Sequence, residues 1–244
     1  MRKIFLSVFI IFISSSLYAQ TSIVGSLGMG GGVIFGSLNP NMKDLNLELK
    51  TAYLKEFEGG IFGFGGGGGL TLGRIRIGGF GMGGDRESQS KRPFRGLTSP
   101  TDDHFNTITK LSYSYGLGYI GYEFLRLGDF RFAVDIGLGG GTIELKNIDR
   151  ASSQSIITWE HSLGSHLYLI AYSRVLSMNF FYYQPSLVIE YIYGGFTKFF
   201  IAGDYSGIVN GKWKQDGEFE LMNVPKMKFN GFSIRAGVYL GIFL

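Results

Sequence analysis

Apolar side chains recur at every second position over long stretches of this chain, the spacing of β-strands with one apolar face. From Leu111 to Tyr119 the odd positions are Leu111, Tyr113, Tyr115, Leu117 and Tyr119, and the even ones Ser112, Ser114, Gly116 and Gly118. After Gly128-Asp129, which favours a tight turn, Phe130, Phe132, Val134, Ile136 and Leu138 alternate with Arg131, Ala133, Asp135, Gly137 and Gly139. The cleanest run comes last: Phe232, Ile234, Ala236, Val238, Leu240, Ile242 and Leu244 fall on one face, with Gly231, Ser233, Arg235, Gly237, Tyr239 and Gly241 on the other.

The same reading predicts strands near 22–37, 59–67, 70–83, 110–126, 130–145, 164–175, 179–194 and 230–244. Connections alternate between long (38–58, 84–109, 146–163, 195–229) and short (around 68, 127–129, 176–178). The Gly65–Gly69 run reads as the floor of the second hairpin, and parity breaks at Gly78-Gly79 and near Ile120 suggest bulges. Residues 42–56 fit two patterns. Leu45, Leu47 and Leu49 alternate as a strand, whereas Leu45, Leu49, Tyr53 and Phe57 form a helical seam, and a short helix in the first long connection is the preferred reading. Eight strands result, or ten if one forms there and another in 195–229. Short turns at one end and long connections at the other are the layout of a closed antiparallel up-and-down barrel of the membrane-spanning kind.

Composition narrows the choice. Glycine contributes 39 of 244 residues, aromatics 16% and charged residues only 17%, against usual shares of about 7% glycine and about 25% charged. No Gly-X-Y period exists, which excludes collagen, and 45% hydrophobic residues argue against disorder. Cysteine is absent, which removes disulfides, thiolate catalysis and cysteine-ligated zinc. The start of the chain reads as a secretory signal peptide spanning 1–20, ahead of one β-barrel domain at 21–244. Arg2 and Lys3 precede the apolar stretch Ile4 to Ile13, and Leu17-Tyr18-Ala19 offers a small-residue cleavage site. Without Arg2 and Lys3 the basic count falls from 23 to 21 against 19 acidic residues, so the net charge drops from +4 to +2. Nucleic-acid binding by bulk charge is therefore not expected.

In water a barrel turns its apolar face inward and shows charge outward. Here the non-apolar face is mainly glycine and serine, which suits the cramped interior of a small barrel better than a solvent surface. Phe132, Val134, Ile136, Val238, Leu240 and Ile242 are accordingly expected to face lipid, with Gly137, Gly139 and Gly237 inside. Tyr119, Tyr122 and Phe124, and Phe180 to Tyr183, are expected at an interfacial aromatic girdle. The few charges sharing the inward face, Arg74, Arg76, Arg131, Asp135, Glu190 and Arg235, are expected to line the barrel, with Glu190 pairing Arg235, and Arg74 and Arg76 seeking Asp135.

The last strand, apolar at every second position counted back from Leu244, resembles the assembly signal of bacterial outer-membrane β-barrel proteins. That family usually closes on Phe or Trp, whereas this chain has Phe243 followed by Leu244. The resemblance implies an outer-membrane location, the outer-membrane lipid bilayer and the assembly machinery as partners, and no particular activity.

Motifs for chemistry are sparse. Gly63, Gly65 and Gly68 spell G-x-G-x-x-G, but a dinucleotide site needs that motif between strand and helix, and here Leu70-Thr71-Leu72 continues as strand. His104, His161 and His166 are the ready general bases, with Glu160, Ser162 and Ser165 near two of them, the basis for an alternative as a lipid-modifying hydrolase. Arg86, Lys91, Arg92 and Arg95, followed by Asp102 and Asp103, form a charged stretch that could meet lipopolysaccharide phosphates at 85–110. No catalytic, cofactor-binding or metal-binding residue is assigned, and no cofactor is expected. The expected role is structural or surface-interacting and non-enzymatic. A small pore is the alternative, with the hydrolase and a soluble secreted or periplasmic β-protein behind it.

Overall fold

The computed structural model describes residues 27–38, 41–93, 104–151, 171–222, 224 and 230–244. It contains β1 (Leu27–Leu38), α1 (Lys43–Thr51), β2 (Ile61–Leu72), β3 (Ile75–Pro93), β4 (His104–Leu127), β5 (Phe130–Ala151), β6 (Ala171–Tyr193), β7 (Thr197–Gln215), the two-residue β8 (Phe219–Glu220) and β9 (Gly231–Phe243). Eight long antiparallel strands close into a ring, because β1 pairs with both β2 and β9, and β7 joins β6 to β9. Following the hydrogen-bonding direction from Leu27 through Leu72, Ile75, Tyr122, Val134, Leu187, Gly203 and Ile234 returns to β1 at Ser37, ten residues (37 less 27) above the start. Eight strands with that stagger tilt by roughly 41° and enclose a backbone radius of about 8 Å, too narrow for more than side chains.

The short connections are glycine turns in the left-handed region, with Gly73 at φ +64°, Gly128 at φ +59°, and Gly194 and Gly195 at φ +62° and +76°. They correct parts of the sequence reading. Gly65–Gly69 lies inside β2 and not in a turn, since the β2–β3 turn falls at Gly73-Arg74. Residues 176–178 lie within β6, and the predicted loop 195–229 contains β7, so the count of eight was reached with one strand misplaced; the predicted strand at 164–175 falls mostly outside the described residues. The connection predicted at 84–109 is largely strand, with β3 and β4 paired up to Pro93 opposite His104. Bulges occur at Glu123/Leu125 and Met178/Phe180, while pairing through Gly78-Gly79 and Ile120 is regular.

The expected facing holds for β5 and β9. Ile136, Leu240 and Ile242 are 61%, 64% and 59% exposed, Val134 is exposed, Phe132 and Val238 are half-buried on the same outward face, and Gly137 and Gly237 are buried. In β4 it is reversed. Leu111, Tyr113 and Leu117 are buried inside, with Tyr115 and Tyr119 beside them, while Ser114, Gly116 and Gly118 face outward. The reason is fit between large and small residues, since bare glycines on the facing strands leave space that only large side chains fill. Outward apolar side chains occur on all eight strands, carried on β3 and β4 by Ile75, Ile77, Ile120 and Tyr122 below a stretch of glycines. On β9 the apolar face runs from Phe232 to Leu244, about 40 Å along the strand and about 30 Å along the barrel axis, the thickness of a bilayer's hydrocarbon. Aromatic pairs flank it, with Phe130 and Tyr191 (5.0 Å between ring centres) and Tyr193 and Phe196 (6.3 Å) near the short turns, and Phe35 with Phe64 (5.2 Å) and Tyr205 with Phe232 (5.1 Å) at the other end. A soluble protein would bury this face. A closed barrel that exposes it is a membrane-spanning barrel.

Between β1 and β2 the chain does form the short helix. Asn41 Oδ1 accepts the Lys43 N–H at 3.2 Å, Asp44 and Lys50 complement the two ends of the dipole, and Leu45 and Leu49 stack one turn apart on the buried face. Asn46 then holds the chain back on the helix, donating to Phe57 O at 2.9 Å and accepting from its N–H at 3.0 Å. The segment continues along β3, which has no β2 partner beyond Gly84. Ser88 Oγ donates to Lys55 O (3.0 Å), Lys55 N–H donates to Ser90 Oγ (2.6 Å), and Arg86 Nη1 donates to Gly60 O (2.9 Å). A sheet edge that rises past the apolar belt is thereby covered instead of left open.

Candidate functional site

The lumen is the built interior of this molecule, and it has two layers. Along the length of the lumen the wall glycines of β2 and β3 face rings, mostly from β4. The Tyr119 hydroxyl lies 2.7 Å from where a Cβ on Gly69 would stand and 2.5 Å from one on Gly78, and the Tyr113 hydroxyl fills the place of one on Gly63. Phe80 does the same for Gly67, and Phe243 for Gly30. The glycines that would line an open bore are therefore roofed by neighbours' side chains. Toward the long connections Tyr115 packs on Tyr182 at 4.7 Å and on Tyr113 at 5.9 Å, Tyr115 donates to Met82 Sδ (3.4 Å), and Tyr182 shares a 2.6 Å hydrogen bond with Ser206. Leu111, Ile143, Leu145, Met178 and Phe180 fill the next levels.

Toward the short turns the filling is ionic. Arg76 spans two carboxylates, Glu190 at 2.7 Å and Asp135 at 3.3 Å. Lys198 reaches the same Glu190 oxygen at 3.1 Å and lies over the Tyr239 and Phe243 rings. Arg235 pairs with Asp204 at 2.8 Å, donates to Ser186 Oγ at 3.3 Å and stacks over Phe80 at 4.2 Å. Glu123 lies between Arg126 (2.6 Å) and Arg131 (3.9 Å). Four buried cations, Arg76, Arg131, Lys198 and Arg235, thus face four buried anions, Glu123, Asp135, Glu190 and Asp204. A lone charge here would carry a desolvation cost of several kcal/mol, so balance is what makes the layer tolerable.

Of the six charges singled out in the sequence, Arg76, Arg131, Asp135, Glu190 and Arg235 lie inside the ring. Arg74 does not, because it belongs to the β2–β3 turn and donates to Tyr122 Oη at 3.4 Å near the outer surface. Glu190 and Arg235 do not pair. Glu190 stands opposite Phe200, which stands opposite Gly237, so an intervening strand and the barrel stagger separate them, and β7 brings a nearer partner for each. Three residues of the layer escaped the sequence reading: Glu123, Lys198 and Asp204. Lys198 and Asp204 had a signal, since each alternates with Phe199, Ile201 and Tyr205. The expected girdle is also divided, with Tyr119, Phe180 and Tyr182 inside and Tyr122, Phe181 and Tyr183 outside.

The charged stretch at 85–110 does not share a face. Arg86 turns inward to Gly60, Lys91 is exposed, and Lys110 is held by Asp85 at 2.9 Å and Glu87 at 3.6 Å. Arg95, Asp102, Asp103, Glu160, His161, Ser162, Ser165 and His166 lie outside the described residues, as does the expected signal peptide at 1–20. His104 closes the β3–β4 ladder. Gly63, Gly65 and Gly68 sit within β2, with β3 and no helix following. Among the described residues no group of three acidic or histidine side chains could hold a metal ion, and no helix is long and apolar enough to cross a membrane.

No family model matches this chain, and no curated protein sequence does. Among solved structures it is similar in shape to Ail, the attachment invasion locus protein of Yersinia pestis, in complex with the heparin analogue sucrose octasulfate (9% identity, 90% of this chain and 99% of that one, TM-score 0.41). It is also similar to the outer membrane protease OmpT from Escherichia coli (10% identity, 92% and 99%, TM-score 0.38). A third likeness is to a major outer membrane protein from Thermus thermophilus (11% identity, 88% and 99%, TM-score 0.38).

Proposed function

We propose that this protein is an exported outer-membrane β-barrel with a structural or surface-interaction role, carried by the end where the long connections lie, and without an open channel. The carrying observation is the pairing of an exposed apolar belt on the strands' outer face with an interior filled by side chains. A strand-built membrane protein of this kind belongs to an outer membrane, and the N-terminal segment and the alternating last strand are the features that would direct export and assembly-machinery recognition. Above the belt, β3 to β6 rise as a wall with α1 and residues 52–60 folded against it, an ordered platform with no bore beneath it. If lipopolysaccharide phosphates are met at the rim, Lys91 and Lys146, both exposed, are the residues to do it.

Migration on a denaturing gel with and without boiling, on protein from separated envelope fractions, tests the reading. A faster unboiled band in the outer-membrane fraction supports it, and recovery from the soluble periplasm without heat-dependent migration opposes it. Planar-bilayer recording separates this role from a pore: a silent bilayer is expected, and steady unitary conductance would favour the pore. Hydrolysis of outer-membrane lipid by the purified barrel would favour the hydrolase.

A further inference from the structure

The ladder between β6 and β7 stops inside the apolar belt and resumes in the same register. Tyr183 pairs with Gly207 and Ser186 with Asp204, and the two steps between, at Gln184 and Pro185, are unbridged. The cause is Pro185. The Ile192 N–H donates to Asp129 O, beside β5, and N–H groups along an antiparallel strand alternate in direction. From Phe180 to Tyr193 the even-numbered residues of β6 therefore point to β5 and the odd-numbered ones to β7. Pro185 faces Tyr205 with no N–H to give, inside a sheet where proline is ordinarily kept to edges and bulges. Its ring points outward beside Ile136, where hydrocarbon supplies no donor in its place.

Two side-chain contacts frame this gap on the lumen side. Toward the long connections, Tyr182 Oη and Ser206 Oγ share their 2.6 Å hydrogen bond across the seam. Toward the short turns, Ser186 of β6 stands opposite Asp204 of β7, and Arg235 reaches both, giving Nε to Asp204 Oδ2 (2.8 Å) and Nη2 to Ser186 Oγ (3.3 Å). On the outer side Gly203 brings no side chain over the seam, and a Cβ there would meet nothing within 4 Å. We propose that the β6–β7 seam is where the wall of this barrel opens locally, and that the Tyr182–Ser206 bond and Arg235 latch it from within. Opening there costs one backbone hydrogen bond less than at a continuous ladder. The ionic layer thus has a task beyond filling the lumen: Arg235, carried by β9, ties β6 to β7 across a gap that the backbone does not close.

Amide hydrogen exchange of the folded barrel in detergent micelles, resolved by residue, tests this with a control inside one strand. At the same depth Tyr183 and Leu187 donate toward β7, while Gln184 and Ser186 donate toward β5, where the ladder is continuous. Tyr183, Leu187, Tyr205 and Gly207 should exchange about tenfold faster than Gln184 and Ser186 once intrinsic rates are corrected for, the factor that one hydrogen bond sets. Pro185→Val restores the missing donor and should slow the β7-facing amides to the rate of the β5-facing ones. Ser206→Ala removes the Tyr182 latch and should speed the β7-facing amides further, with Gln184 and Ser186 unchanged. Equal protection on the two sides of β6 in the wild-type barrel would overturn the proposal. So would a difference that Pro185→Val leaves intact, or an effect of Ser206→Ala shared equally by both sides.

Discussion

The half of the lumen near the short turns is built from charges, and the half toward the long connections from rings and methionine. Both fill the same narrow barrel, yet they fail differently. In the ionic half each side chain is fixed by its partner, so the layer is stable only as a balanced set. In the aromatic half fit is steric: Tyr113, Met82 and Phe180 occupy space left by glycines, so an added methyl group there breaks the packing. Volume and charge balance thus set separate rules within one wall.

The largest effect should come from unbalancing the ionic half. Arg235→Ala leaves Asp204 buried and unpaired, and should lower unfolding stability by about 3–5 kcal/mol, read as the urea midpoint of folded barrel in detergent. The double variant Arg235→Met with Asp204→Leu should recover most of that loss; no recovery would mean the pair does more than balance charge. The glycine rule gives the next effect. A Cβ on Gly139 meets the Gly116 carbonyl and lies 2.6 Å from Leu117 Cα, whereas one on outward Gly203 meets nothing within 4 Å. Gly139→Ala should cost about 1–3 kcal/mol as overpacking, and Gly203→Ala less than about 0.5 kcal/mol; equal costs would erase the distinction between inner and outer glycines. Tyr182→Phe keeps the ring and removes the hydroxyl that bonds Ser206, so a loss of about 0.5–1.5 kcal/mol is expected, smaller than any change that opens the layer. The smallest effect belongs outside the lumen. Lys110→Ala, at a partly exposed pair with Asp85 and Glu87, should cost no more than about 1 kcal/mol.

The same two rules explain what was legible in the sequence. β5 and β9 could be read because their outward residues are all large and apolar while their inward ones are small or charged. β4 could not, because its lumen face, Leu111 to Tyr119, is as apolar as a lipid face, and a narrow lumen accepts either large or small residues depending on the strand opposite. β7 was hidden because Lys198, Asp204, Ser206, Gly207 and Gly211 make it look like a loop until the inward ionic layer is known. The error propagated to the site: without β7, Glu190 and Arg235 looked adjacent, and the true partners Lys198 and Asp204 were left in a supposed connection. The helix after Asn41 was readable from its seam, but the folding of residues 52–60 onto β3 depends on Asn46, Ser88 and Ser90 contacts that no periodicity encodes.

The central claim is that the exposed apolar belt faces lipid. Trp159 and Trp213 are the two native tryptophans, so replacing both with phenylalanine gives a silent background for Ile136→Trp on the belt and Met82→Trp in the lumen. In vesicles whose acyl chains carry bromine near mid-depth, fluorescence from Ile136→Trp should be strongly quenched by the lipid and little by aqueous acrylamide, while Met82→Trp should be protected from acrylamide and far less quenched by the lipid. Strong acrylamide quenching of Ile136→Trp, or no difference between the two positions in brominated lipid, would contradict the account.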